Sequence, residues 1–201
     1  MNETATLVLW RHGTTDWNTE HRYQGRNADT TLNATGLAQA AAAASGVAAW
    51  QPAAIVCSPL TRARQTAAAV EALLGRACTT DDRLAEIDVG AWSGLVVAEA
   101  PALDPAFAAA RAAGLDYRIG QTGETSMELG ARVGEALRDA ARDGETTLVV
   151  SHGWALQMGT ANVLGWDYAL SRGLAIMGNC RVSVLTRTRG RWRLDRWNTA
   201  G

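Results

Sequence analysis

The chain contains no lysine; all 19 of its Lys-plus-Arg side chains are arginine. That absence excludes a Schiff-base lysine and the lysine of a phosphate-binding P-loop. Cysteine is scarce too: Cys57, Cys78 and Cys180 form neither a disulfide framework nor a zinc pattern, and they fit a reducing cytoplasm. There is no Asp-rich cluster and no HExxH-type pair, so no metal and no cofactor are expected. Runs of like charge, long polar linkers and internal repeats are missing. A formal net charge of -1 argues against a general nucleic-acid binder. The apolar run 4–10 is too short for a signal-peptide core or a membrane span. A cytoplasmic location, with no nucleic-acid or membrane partner, is the expectation.

What is present can fold. The 201 residues are 47% hydrophobic and 19% charged, enough to bury a core, and a single domain over residues 1–201 is expected. Residues 4–10 read as a buried strand that runs straight into Arg11-His12-Gly13. Asn33 can cap a helix over 37–49, and 53–57 reads as a second strand. Ser58 as cap and Pro59 at the first helical position predict a helix over 60–74. Residues 84–94 read as a strand end and a loop. Residues 95–114, divided by Pro101 and Pro105, read as one or two short helices. Thr125 with Glu128 predicts a capping box and a helix to about Arg142. Residues 146–150 form another apolar strand, ending in Ser151-His152-Gly153 as the first ends in Arg11-His12-Gly13. A helix over 154–164 follows. The segments 181–188 and 191–197 alternate around Gly190 as two antiparallel strands. This order predicts an α/β fold in three layers, with a mixed, mostly parallel central sheet covered by helices on both faces.

Ligands in such sheets sit beyond the carboxyl ends of the strands. Two of the three histidines, His12 and His152, stand at matching strand ends. If those strands are neighbours, the histidines share a pocket that Arg11 and Arg62, the latter from a helix start, can also reach. Forked guanidinium donors beside a nucleophilic imidazole suit a phosphate group.

Further residues sharpen this reading. Arg11-His12-Gly13, Asn18, Tyr23-Gln24-Gly25, Ser58 with Arg62 and Gln65-Thr66-Ala67, Leu84 with Glu86 and Gly90, Gly123-Glu124, and Ser151-His152-Gly153 occur in an order that resembles the histidine phosphatase superfamily, the family of the cofactor-dependent phosphoglycerate mutases and related acid phosphatases. The resemblance implies their phosphoglycerate mutase-like fold and assigns roles. His12 is then the nucleophile that becomes a phosphohistidine. Arg11, Arg62 and His152 hold the phosphoryl group, and Glu86 protonates the leaving alkoxide. Asn18, Gln24, Gly25 and Gly153 contact the substrate. A proton donor must be protonated at working pH, which predicts burial around Glu86 and activity at low pH. The attacking nitrogen of His12 must be neutral, which predicts a backbone carbonyl on its other N–H.

Other readings sit beside these. Asp88 is an alternative acid. His21, between Glu20 and Arg22, reads as a solvated loop residue. Trp17 and Trp92 are the tryptophans expected to line the pocket, and Arg26, Arg118 and Arg181 are candidate contacts for an anionic substrate. The expected reaction is metal-independent hydrolysis of a small phosphate ester. The alternatives are a phosphoglycerate mutase and a catalytically silent module that binds phospho-ligands. Glu86-Ile87-Asp88-Val89-Gly90 lacks the Glu-Arg-x-Tyr-Gly pattern of the mutases, and lysine-containing insertions are missing, which favours a phosphatase. Met177-Gly178-Asn179 with 191–198 is similar to actinobacterial glucosyl-3-phosphoglycerate phosphatases, which implies a phosphorylated glycerate or a sugar phosphate as substrate. A homodimer is left open, as is a lid over 95–123.

Overall fold

The computed structural model describes residues 4–200. Six strands, β1 (Thr4–Arg11), β2 (Ala54–Cys57), β3 (Thr79–Thr80), β4 (Thr146–Ser151), β5 (Val182–Thr188) and β6 (Arg191–Thr199), form one sheet in the order β3-β2-β4-β1-β5-β6. The first four of that order run parallel, while β5 and β6 are antiparallel. Helices α1 (Asp16–Thr19), α2 (Ala34–Ala48), α3 (Thr61–Leu74), α4 (Ala100–Leu103), α5 (Pro105–Ala113), α6 (Ser126–Ala140), α7 (Gly153–Val163) and α8 (Tyr168–Ser171) complete the described elements, with short 3-10 turns between 82 and 99.

Alternation along β1 explains the layers. Val8 and Trp10 join Ile55, Leu148 and Val150 in a core covered by Ala40 and Val47 of α2 and Ala63, Ala67 and Val70 of α3. Ala5, Leu7 and Leu9 point to the other face and pack with Leu129, Val133 and Leu137 of α6 and Leu156 of α7. Central strands buried on both sides read as continuous apolar runs, which is why β1 and β4 were visible in the sequence. The fold is the expected α/β arrangement of a mixed, mostly parallel sheet between two helical layers.

Local chemistry sets most boundaries. Asn33 caps α2 by accepting from the Gly36 N–H at 3.0 Å, and Thr125 and Glu128 form the anticipated capping box of α6. Arg189 and Gly190 both have positive φ in the two-residue turn between β5 and β6. Three expectations need correction. Helix α3 starts at Thr61, after Pro59, because Leu60 is extended and takes the cap position without a side-chain bond; the Ser58 hydroxyl accepts from the Leu60 N–H at 3.3 Å, ahead of the helix. Residues 84–94 hold 3-10 turns rather than a strand end. There, Arg132 donates to the carbonyls of Arg83, Ala85 and Glu86, taking acceptors that a strand would offer to a neighbour. Helix α6 ends at Ala140.

The loop after β1 is pressed onto α2 at two glycines. A Cβ on Gly36 would lie 2.1 Å from the Thr14 carbonyl oxygen, and one on Gly13 would lie 2.5 Å from the Gly36 oxygen. Backbone meets backbone, so neither side can yield by rotating a side chain. Gly36→Ala is expected to cost about 1–3 kcal/mol by overpacking and to lower turnover by displacing the loop next to His12. Urea unfolding and a rate assay check both effects; unchanged stability would contradict the close approach.

Candidate active site

The register of two strands builds the centre of the site. β1 and β4 are parallel neighbours with Arg11 opposite Ser151. The next residue on each strand is His12 and His152, so the two imidazoles emerge side by side, their ring centroids 5.1 Å apart. Both are almost fully buried, His12 at 2% exposure and His152 at 0%.

His12 has a defined tautomer. Its Nδ1 lies 2.7 Å from the Gly13 carbonyl oxygen. A carbonyl only accepts, so Nδ1 carries the hydrogen and Nε2 keeps its lone pair. Burial holds the His12 imidazole well below its ordinary pKa, with Arg62 and Arg11 pushing in the same direction and the Gly13 bond opposing them. The free Nε2 is therefore unprotonated at neutral pH. Burial acts likewise on His152, reinforced by Arg62, His12, Arg11 and Arg132. His152 Nε2 is 2.7 Å from the Ser58 hydroxyl, which also accepts from the Leu60 N–H.

The guanidinium groups are fixed by carbonyls instead of carboxylates. Arg62, fully buried in the first turn of α3, donates to Asn27 O at 2.9 Å and Gly25 O at 2.8 Å. Arg11 donates through Nη1 to Met177 O. Neither forms an ion pair with a carboxylate, so Arg62 does not pair with Glu71 or Asp81. Burial lowers the pKa of both; Arg62 falls to about 10, Arg11 adding to the effect and Glu86 opposing it. Both remain cations at neutral pH.

Glu86 sits across the pocket at the start of α7. Its Oε1 accepts from the N–H groups of Ile87 and Ala155, both at 2.9 Å, and Oε2 from that of Trp154 at 3.2 Å. It is half-buried, so the burial expected around it is only partial. N–H donors at a helix start, and not apolar side chains, hold the carboxyl in place.

These groups surround a cavity of about 210 Å³ lined by every residue to which the resemblance assigned a role except His152: Arg11, His12, Asn18, Gln24, Gly25, Arg62, Glu86 and Gly153. Among the described residues, the buried side-chain atoms with no partner include Arg11 Nε, Arg62 Nε, His152 Nδ1 and Gln24 Oε1. A buried polar atom left unpaired costs about 1–3 kcal/mol. The unpaired nitrogens gathered on one site's residues mark where a ligand's oxygens belong, and Gln24 Oε1 suits a ligand's hydroxyl. No group of three or more His, Cys, Asp or Glu side chains gathers to hold a metal ion among the described residues.

Several secondary candidates lie elsewhere. Asp88 accepts from the Gly90 N–H and does not line the cavity. Trp92 packs in the core between Tyr23 and Phe107, and Trp154 lines the cavity where Trp17 and Trp92 were expected. Arg26 is paired with Glu124 and Arg118 with Glu128. Arg181 does not reach the cavity, and His21 is exposed. Residues that the sequence reading did not assign include Asn179, whose Nδ2 donates to the carbonyls of His12 and Gly13 and to Asn18 Oδ1. Only its place beside Gly178 and Cys180 hinted at it.

Neutral buried histidines have a stability consequence. Above about pH 6.5 they are uncharged whether folded or unfolded. Below it the unfolded chain binds protons that the native state refuses, and stability falls by up to about 1.4 kcal/mol per pH unit for each histidine. Urea unfolding from pH 7 to 5 is expected to show this loss, with a smaller slope in His152→Gln. Equal slopes would mean that His152 is not buried in its neutral form.

A model of the histidine phosphatase superfamily (branch 1) matches residues 7–200. Glucosyl-3-phosphoglycerate phosphatase of Mycolicibacterium vanbaalenii is 34% identical over 96% of this chain and 94% of its own length. A probable phosphoglycerate mutase of Serratia proteamaculans is 33% identical over 97% of this chain and 92% of its own. The solved structure of a mycobacterial glucosyl-3-phosphoglycerate phosphatase complexed with VO3 superposes with a TM-score of 0.87 at 33% identity, covering 98% of this chain and all of that one. Since both the sheet that carries the paired histidines and nearly the whole length of the sequence are matched, this chain belongs to the histidine phosphatase superfamily.

Proposed function

We propose that this protein is a metal-independent phosphomonoesterase that works through a phosphohistidine on His12. The observation that carries the reading is the tautomer of His12. Gly13 holds Nδ1–H, and the free lone pair of Nε2 belongs to a ring that lines a cavity with two unneutralised arginines. The substrate's phosphoryl oxygens take the unpaired N–H groups of Arg11, Arg62 and His152. His12 Nε2 attacks phosphorus in line, and the bond to the leaving oxygen breaks. Phosphoryl transfer of this kind depends on positioning and a cationic cradle more than on strong acid–base assistance.

The leaving oxygen still needs a proton, and Glu86 is placed to give it. Oε1 already accepts two N–H bonds, so Oε2, with one long bond, is the oxygen to carry the proton. After departure of the alcohol, the same carboxylate takes a proton from water. The resulting hydroxide attacks the phosphohistidine, giving phosphate and restoring His12.

Hydrolysis is favoured over retention of the phosphoryl group because the cavity mouth is open. Val97 and Ile176 on its rim are 37% and 52% exposed, which gives water a path to the intermediate. The names of the relatives support a phosphorylated glycerate derivative, glucosyl-3-phosphoglycerate first, as the substrate. A silent binding module would not need a free nucleophile and an opposed carboxyl.

With chelator present, p-nitrophenyl phosphate is expected to be hydrolysed. His12→Ala should abolish turnover, and Glu86→Gln should lower it by about 10²–10⁴-fold, the usual range for a general acid. Supplied with 3-phosphoglycerate, the enzyme should release free phosphate. Formation of 2-phosphoglycerate would identify a mutase, and no turnover at all would favour the binding module.

A further inference from the structure

A second cavity, of about 400 Å³, adjoins the first. The two share Tyr23, Val97, Trp154 and Ile176, so a substrate whose phosphoryl group lies against His12 extends into it. The walls of this second space include Phe107, Tyr117 and Tyr168. Rings of this kind offer broad apolar faces, on which an aryl group or the C–H face of a sugar packs.

The second cavity carries more positive than negative charge. Arg111, near the end of α5, and Arg172, just after α8, both line it. Both are exposed, and neither has a carboxylate partner or any side-chain hydrogen bond. They converge on one rim. A Cβ on Gly114, the residue that ends α5, would lie 2.7 Å from Arg172 Nη1. Arg111 acts on Tyr23, whose hydroxyl is pushed up by burial and drawn back by that guanidinium. The acid in the lining, Asp116, is already used: Oδ1 accepts from Tyr117 and Ser126 N–H, and Oδ2 from Met127 N–H. The larger space therefore combines flat apolar walls with two arginines that outnumber its one carboxylate.

We infer that the second cavity holds the leaving group, and that this group carries a second negative charge on a body with a broad apolar or C–H face, gripped by Arg111 and Arg172. The inference rests on the phosphatase reading and narrows its substrate class. Glycerate has the charge but not the body, and a neutral aryl alcohol has the body but not the charge. A glycosylated glycerate and an aryl carboxylate each have both.

Matched pairs of esters test it: p-carboxyphenyl phosphate against phenyl phosphate, and glucosyl-3-phosphoglycerate against 3-phosphoglycerate. The first ester of each pair should have a kcat/KM about tenfold higher, through the added charge in the first pair and the added body in the second. Arg111→Gln and Arg172→Gln should remove most of the advantage in the first pair and lower kcat/KM for both esters of the second, in each case through KM, and Arg→Lys at either site should restore part of the loss. A preference in the first pair alone would identify an aryl carboxylate, and one in the second alone a sugar-bearing carboxylate. No preference in either pair, or an efficiency toward the carboxylate-bearing esters that both Gln variants leave unchanged, would overturn the inference while leaving the phosphatase reading intact. If no ester is hydrolysed, the phosphatase reading fails. Calorimetric titration with p-hydroxybenzoate and with phenol then decides this one: tighter binding of p-hydroxybenzoate that Arg111→Gln abolishes supports it, and equal binding rejects it.

Discussion

The parallel ladder between β1 and β4 is the constraint on which the site depends. A register of Arg11 opposite Ser151 makes the two strands end level. Two residues 140 positions apart in sequence thus leave the sheet at the same height and on the same side. A slip of one residue would turn each side chain to the opposite face. It would also exchange the two cores, because Val8 and Trp10 serve one helical layer and Leu7 and Leu9 the other. Burial on both faces therefore fixes the histidine pair more firmly than any contact between the rings.

Electrostatics then follow from what the pocket withholds. The guanidinium groups of Arg11 and Arg62 are anchored by neutral carbonyls, which orient them without cancelling their charge. Two buried cations and two buried imidazoles would be intolerable if all four were charged. The imidazoles give way, and both are driven to the neutral form. The same arrangement that leaves two cations unneutralised thus keeps the His12 Nε2 lone pair free. On the reading proposed above, an arriving phosphoryl group relieves both, by pairing the cations and by satisfying N–H groups that the protein leaves alone.

Much of this was legible in the sequence, where the signal was local. β1, β2 and β4 appeared as apolar runs, and Asn33 and Thr125 announced helices through caps that act over three residues. The residues now around the cavity were legible from motif order. What escaped depends on distant partners or on very short segments. α1 has four residues, too few for any periodicity, although Thr15 and Asn18 cap it reciprocally. β3 has two exposed threonines. The start of α3 lies beyond the Ser58-Pro59 signal because Leu60 stays extended, and the contact of Ser58 with His152, 94 residues away, carries no local signal. Residues 84–94 were misread because Arg132 claims their carbonyls from another helix. Trp92 was assigned to the pocket from its neighbourhood in sequence, but Tyr23 and Phe107 enclose it in the core.

One hydroxyl group ties the reactive half of the pocket together. Thr66 Oγ1 accepts from the Gly13 N–H at 3.1 Å and donates to the Arg62 carbonyl at 2.8 Å. The loop that follows His12 and the helix that carries Arg62 are thereby joined through a single atom. The second cavity has no share in this link. Its walls come from α5, α7, α8 and the segments around them, and it shares Tyr23, Val97, Trp154 and Ile176 with the first. The molecule is in effect modular outside those four residues. The part joined through Thr66 cannot move piecemeal, while the remaining walls of the second cavity can be rebuilt residue by residue without touching it. Such a division makes the scaffold readily evolvable toward new phosphate esters.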